Sequence, residues 1–266
     1  MKITFIGGGN MGEAILKAVI SRGLSTPKEI TICDISEARR NYLRKEYMVK
    51  VTPDNTVGIN NAEVIVLAVK PQTLSGVLTE LNRKLKTNQL VVSIIAGVPV
   101  RTIRIGLNHK RIVRSMPNTP AQVGEGMTVW TATPEVTQKQ KKQAKEILGT
   151  MGQELFIDDE KYIDMATAVS GSGPAYVFYF VESLTEAALK IGWAPELAEK
   201  LAIQTLVGAT SLLQKSGKKP ADLRKAVTSP GGTTAAAIEQ FNKGEYKQLI
   251  IQAIEAALKR AKELGK

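Results

Sequence analysis

"KITFIGGGNMG", residues 2–12, decides how the rest of the chain is read. Its first half, "KITFIG" (2–7), is a short run of β-branched and aromatic residues, the composition of a buried strand. Its second half sets Gly7, Gly9 and Gly12 in G-x-G-x-x-G spacing, and a helical pattern follows over 10–22. Each glycine has its own physical reason. The first permits a tight turn, the second lets a pyrophosphate approach the backbone, and the third lets helix and strand pack closely. The helix start then offers free N–H groups and a positive dipole end to phosphates. Gly7, Gly8, Gly9, Asn10, Met11 and Gly12 are therefore the expected phosphate side of a dinucleotide site, with NAD or NADP as the cofactor.

Such a triplet is weak by itself, so the chain behind it matters. Further apolar runs follow at 29–34, 63–69, 90–97 and 111–116, rich in Ile and Val. Several lack polar alternation, as in a parallel sheet covered on both faces. Helical stretches at 36–46, 54–60, 71–82 and 99–107 separate them. This βαβ rhythm predicts a doubly wound sheet. "GMTVWTA" (126–132) and "GQELFID" (152–158) read as later strands around a helix at 135–149. The rhythm stops near residue 160. Helical stripes then cover 174–191 and 195–215, two shorter helices follow, and a last one spans about 245–264. The fold class is thus an α/β Rossmann-type domain over 1–159 followed by an all-α domain over 160–266. The Ala- and Leu-rich stripes suit either a monomeric core or interleaved helices of two subunits.

Asp34 ends the second strand, 22 residues after Gly12, where an acidic residue would bind the adenosine ribose and favour NAD. Arg39 and Arg40 lie nearby and would instead suit a 2′-phosphate. The plainer alternative makes Asp34 a helix cap and the arginines solvated. Lys70, in "AVKPQ" (68–72), closes a strand where a ligand crevice is expected.

Composition narrows the function. Net charge is +11, but the 36 Lys and Arg are interspersed with 25 Asp and Glu. Aromatic residues are 5% of the chain, too few for base-stacking platforms, so no nucleic-acid partner is expected. One cysteine, Cys33, excludes an intramolecular disulfide, and one histidine, His109, excludes a multi-histidine metal site. No metal is expected. No apolar run reaches membrane-spanning length and the start does not resemble a signal peptide. A cytoplasmic protein without a membrane partner is the expectation.

"VTSPGGTTAAAIEQF" (227–241) is a glycine- and hydroxyl-rich turn set before a helix. It reads either as an ordinary capped turn or as a pocket for a small anion.

Taken together, "FIGGGNMG", "AVKPQ", "SIIAG" (93–97), "MPNTP" (116–120), "SGSGPAY" (170–176) and "PADLRKAVTSPGGTTAAAIEQF" (220–241) resemble pyrroline-5-carboxylate reductase over essentially the whole chain. The resemblance implies a helical domain that binds substrate and dimerises, with dimers often assembling into decamers. It also implies NAD(P)H-dependent reduction of 1-pyrroline-5-carboxylate to L-proline, the last step of proline biosynthesis. By motif, substrate falls on Ser229, Gly231, Gly232, Thr233 and Thr234, with Thr234 the catalytic hydroxyl beside the imine nitrogen. Asn55, Ala68, Val69, Lys70, Pro71, Ala96 and Gly97 join the cofactor-binding set. Asp34 departs from what a strict NADP reader carries. A β-hydroxyacid dehydrogenase shares the opening glycines but resembles a lysine-bearing motif at the domain border, where this chain has Val177. A non-catalytic NAD(P)-binding protein would have no need of the 227–234 turn.

Overall fold

The computed structural model of the chain describes residues 1–264; the last two residues of the expected 160–266 domain lie outside that range. Eight strands form one sheet: β1 (Ile3–Ile6), β2 (Ile30–Cys33), β3 (Lys50–Thr52), β4 (Val64–Leu67), β5 (Leu90–Ser93), β6 (Ile112–Met116), β7 (Gly126–Ala132) and β8 (Gly152–Phe156). Their order is β3-β2-β1-β4-β5-β6-β7-β8. The first six run parallel, while β7 turns antiparallel to β6 and β8 follows β7 in parallel. The order reverses between β1 and β4, which puts a crevice at the carboxyl ends of those two strands.

The crossovers are α1 (Asn10–Ser21), α2 (Glu37–Tyr47), α3 (Asn55–Ile59), α4 (Pro71–Leu81), α5 (Val100–Leu107) and α6 (Gln138–Gly149). One sheet face packs Ile3, Phe5, Ile30, Ile32, Val64 and Val92 against Ile15, Leu16 and Val19 of α1, Leu43 of α2 and Ile147 of α6. The other packs Ile6, Cys33, Ile65, Leu67 and Val91 against Ile59 of α3, Leu74 and Leu78 of α4 and Ile103 of α5. Burial on both faces explains why the strands read as unbroken apolar runs.

Most elements stand within two residues of their expected bounds. The exceptions have local causes. β3 is only three residues with one apolar member, too short to show a period. The strand expected over 90–97 ends at Ser93, because the chain turns at Gly97 with φ +71°. A helix missed by periodicity, α7 (Lys161–Ala166), runs into a π-helical turn at Thr167–Gly171. Arg114 of β6, 3% exposed, holds that helix by bonds of 2.7 Å to Glu160 and 2.7 Å to Asp164. Glu160 also accepts the Val100 amide at the start of α5. The Asn118 amide donates to the Ser170 carbonyl, so "MPNTP" and the π turn of "SGSGPAY" are joined.

The remaining helices are α8 (Gly173–Lys190), α9 (Pro195–Ser216), α10 (Pro220–Ala226), α11 (Thr233–Lys243) and α12 (Tyr246–Leu264). Contacts divide the chain into two units: Met1–Pro174 with the C-terminal stretch from Ala257, and Ala175–Ala256. Within Ala175–Ala256 the buried residues are Ala198 and Ala202, both small. Val177 and Phe178 of α8, Leu197 and Leu201 of α9, and Leu249 and Ile251 of α12 are exposed. A helical unit without a buried large side chain has no core of its own. No helix among the described residues is long and apolar enough to cross a membrane.

His109 tests the first unit's stability. It is 6% exposed, with Nε2 2.9 Å from the Gln89 carbonyl. Burial lowers its pKa below the ordinary 6.5; the bond to Gln89 opposes the shift and the Arg111 charge adds to it. The unfolded chain takes up this proton near pH 6.5, and the folded chain resists until lower pH. Its stability contribution is therefore complete above about pH 6.5 and is lost as pH falls from there through the folded value. Denaturation midpoints measured between pH 7.5 and 5.5 should fall more steeply for the native protein than for His109→Gln. Parallel curves would show that the ring is not the titrating group.

Candidate active site

The crevice at the β1–β4 switch point is a cleft of about 460 Å³. Gly7, Gly9, Asp34, Asn55, Ala68, Val69 and Lys70 all line it, so seven expected residues from four loops converge. Gly7 has φ +100°, and a Cβ there would lie 2.7 Å from the Ala68 carbonyl oxygen. At Gly12 a Cβ would lie 2.7 Å from the Gly7 carbonyl oxygen, which is the close packing of helix on strand that the third glycine allows. Gly9 is different. It is the N-cap of α1, and a Cβ there meets nothing within 4 Å. This open cradle at a helix start is the shape a pyrophosphate needs, so the residues fit a dinucleotide.

Other expected residues sit beside the cleft and do not line it. Asn10 and Met11 form the first turn of α1, and Pro71 begins α4 behind Lys70, its N-cap. Gly8 serves the turn's geometry: its amide donates to Asp34 Oδ2 at 2.8 Å. Ala96 and Gly97 are also outside the lining; a Cβ on Gly97 would instead meet Leu264 Cβ at 2.9 Å.

Asp34 is not the helix cap. Ser36 caps α2, and the Asp34 carboxylate bonds the amides of Gly8 and Ser36, the latter at 2.9 Å. The two arginines are not free in solvent either. Arg39 pairs with Glu13 and donates to the Gly8 carbonyl. Arg40 donates to the carbonyls of Asp34 and Ile35, at 2.7 and 3.0 Å. Burial works to raise the Glu13 pKa, but hydrogen bonds from Tyr47, Arg39 and Tyr42 outweigh it and hold the carboxyl below its ordinary value. Glu13 is thus a stable anion that keeps Arg39 on the glycine turn.

Thr73, Gly76, Val77 and Glu80 line the cleft at i, i+3, i+4 and i+7 on one face of α4. Glu80 accepts the Asn55 side-chain amide at 2.7 Å. Ile35 also lines the cleft and is 89% exposed, an apolar platform beside Asp34 with no core function. Cys33 lines it as well, but burial pushes the thiol up to about 12, with the Glu80, Asp54 and Asp34 carboxylates adding to the shift. It stays protonated and is no nucleophile.

The Ser229–Thr234 turn belongs to the helical unit. Gly231 has φ +70°, and the Gly232 amide closes the turn on the Ser229 carbonyl at 3.1 Å. A Cβ on Gly232 would lie 2.5 Å from Ser229 Oγ. Gly232 is the N-cap of α11 and no side chain caps that helix. Thr233 and Thr234 are therefore its first two residues, with amides that lack intrahelical acceptors. Thr233 is exposed and Thr234 half-buried.

An open sheet wound on both faces, a glycine turn at its switch point and a carboxylate closing β2 define a dinucleotide-binding protein of the Rossmann class. Comparison with known proteins narrows this. Residues 2–97 match a family described as NADP oxidoreductase, coenzyme F420-dependent, and residues 160–264 match one described as pyrroline-5-carboxylate reductase dimerisation. The pyrroline-5-carboxylate reductase of Synechocystis is 42% identical over 266 residues, all of this chain and 99% of that one. The solved structure of a pyrroline-5-carboxylate reductase from Coxiella burnetii superposes with TM-score 0.92 at 40% identity, covering 100% of this chain and 98% of that chain. The Plasmodium falciparum pyrroline carboxylate reductase, solved with NADP bound, gives TM-score 0.90 at 31% identity, covering 100% and 98%. The chain belongs to the pyrroline-5-carboxylate reductase family. The dimerisation match falls on the helices whose apolar faces are bare, and both observations support self-association.

Proposed function

We propose that this enzyme reduces 1-pyrroline-5-carboxylate to L-proline with NAD(P)H, and that the roles divide between the glycine cleft and the Ser229–Thr234 turn. The observation that carries the reading is full-length likeness to the family, combined with both turns in the form the chemistry needs. The cleft residues Gly7, Gly9, Asp34, Asn55, Ala68, Val69 and Lys70 hold the dinucleotide. When bound, the reduced nicotinamide supplies a hydride to the imine carbon. The C=N double bond becomes a single bond, and the ring nitrogen takes a proton to give a secondary amine.

The chain's own work is binding and proton placement. The substrate carboxylate sits on the free amides that begin α11, helped by the helix dipole. Glycine at 231 and 232 keeps side chains off that approach. Thr234, half-buried where Thr233 is exposed, directs its hydroxyl to the ring nitrogen, either as a hydrogen bond or as a relay from water. Most of the acceleration comes from holding two reactants in register. The proposed assembly is a homodimer formed by the bare faces of α8, α9 and α12, the unit from which a decamer would be built. The free, buried thiol of Cys33 suits a reducing, cytoplasmic compartment.

Nicotinamide absorbance followed with 1-pyrroline-5-carboxylate and either cofactor tests the reading. Oxidation of the cofactor is expected; turnover of a β-hydroxy acid in its place would favour the dehydrogenase reading, and none with either would favour a non-catalytic binder. The same assay reads cofactor choice. The cleft carries two carboxylates, Asp34 and Glu80, against one ammonium, Lys70, while Arg39 is committed to Glu13. That balance opposes a 2′-phosphate. Asp34→Ser is expected to raise the NADPH-to-NADH ratio of kcat/KM by about tenfold, the worth of roughly one screened charge contact. An unchanged ratio would remove Asp34 from ribose recognition.

A further inference from the structure

The sheet face beneath α4 and α5 changes character toward its β3 edge. On β4 and β5 this face is Ile65, Leu67 and Val91, all buried. Toward the edge the same row continues through Thr4, Thr31 and Lys50, since Thr4 pairs with Thr31 and Thr31 with Lys50. A doubly wound sheet is ordinarily apolar on both faces because helices cover both. Here the crossover from β3 to β4 contains only the five-residue α3, whose Ile59 joins the core beside Ile6 and Cys33. On this face Thr4 is buried beneath α3, Thr31 is half-buried and Lys50 exposed, so the opening lies at the β2–β3 edge.

The result is a cavity of about 320 Å³, distinct from the cofactor cleft, around which Lys2, Lys28 and Lys50 stand. None of the three forms an ion pair among the described residues. The one carboxylate in the lining, Glu29, is engaged by the chain's amino terminus at 3.3 Å. Thr31 and Asn61 add neutral hydrogen-bonding groups to the wall. Val51, Val57 and Ala62 supply the apolar part of the wall. Three unpaired ammonium groups around it make a concentrated positive potential, and a multiply charged anion is the ligand that matches it.

The cavity and the cofactor cleft share α3. Asn55 lines the cleft, whereas Gly58 lines the cavity. The Gly58 carbonyl accepts the Thr4 hydroxyl at 2.8 Å, and a Cβ on Gly58 would lie 2.1 Å from Cys33 Sγ. The short helix is thus seated on the floor of one site while it presents a side chain to the other.

We propose that this cavity is a second binding site, for a small phosphate-bearing anion, and that its occupancy is read at the cofactor cleft through α3. Lysine serves it as a mobile point charge with three donors. The reading goes beyond the reductase activity, and its binding arm needs no turnover.

Inorganic pyrophosphate is the probe. It is titrated calorimetrically at fixed ionic strength into protein saturated with NADH, so that the glycine turn is filled. Binding is expected, weakened at least about tenfold in Lys28→Gln/Lys50→Gln by loss of two charge-assisted contacts. Both lysines are exposed, so an unchanged melting curve should show that the double variant is folded. In a second titration, followed by NADH fluorescence, pyrophosphate should shift the NADH dissociation constant at least about fivefold more in the native protein than in the variant, where only competition at the glycine turn remains. No binding, or binding indifferent to the two lysines, overturns the site. Lysine-dependent binding that shifts NADH affinity no more in the native protein than in the variant overturns the coupling through α3.

Discussion

Gly9→Val is expected to leave the fold intact and to weaken NADH and NADPH binding by at least about a hundredfold. The two halves of this expectation rest on separate observations. Gly9 has φ −67° and ψ −177°, extended backbone open to any residue, and a Cβ there meets nothing within 4 Å. The protein therefore accepts valine without strain. The same space is the floor of the cleft, and a branched side chain keeps a pyrophosphate off the amides that begin α1. Losing two charge-assisted hydrogen bonds, at about 1.5–3 kcal/mol each, accounts for the magnitude. Gly12→Val is the contrasting case. Its Cβ would collide with the Gly7 carbonyl 2.7 Å away, so it should damage the fold itself. Fluorescence titration of the nicotinamide beside a thermal melt separates the two variants. Native-like cofactor affinity in Gly9→Val would show that the phosphates bind elsewhere.

Thr234→Val is expected to lower kcat by about ten- to a hundredfold, the worth of one hydrogen bond of about 1.5–3 kcal/mol to a partly charged nitrogen. Valine keeps the shape and removes the hydroxyl. Thr233→Val should cost less, because Thr233 is exposed while Thr234 is half-buried at the next position of the helix. Cofactor affinity should survive both changes, since the cleft is lined by residues between Ile6 and Glu80. Steady-state kinetics on the pair decides the assignment. Equal small losses in both would mean that the turn acts through its backbone amides alone.

The parts of this protein legible in the sequence are those set by local rules. A glycine triplet between a strand and a helix has few physical readings, and the structure gives Gly7 and Gly12 the turn and the close packing that the spacing demands. Strands buried on both faces write themselves as unbroken Ile and Val runs, so seven of eight were readable, and β3 escaped because three residues hold no period. The turn at Gly231 and Gly232 is local in the same way: left-handed backbone and an uncapped helix start follow from the residues themselves.

What only the tertiary structure decided is how distant side chains dispose of their charges and faces. Arg39 read as a candidate for a 2′-phosphate, but Glu13, 26 residues earlier, holds it on the glycine turn. Asp34 spends both oxygens on backbone amides, and Glu80 enters the cleft from α4, 25 residues after the Asn55 it bonds. The apolar stripes of α8 and α9 read equally well as a monomer's core or as a dimer's helices, and only the fold shows that their unit buries just two alanines. Local propensity acts between neighbours in sequence and is written there. Ion pairing and burial act between neighbours in space, and the chain has those neighbours only once it has folded.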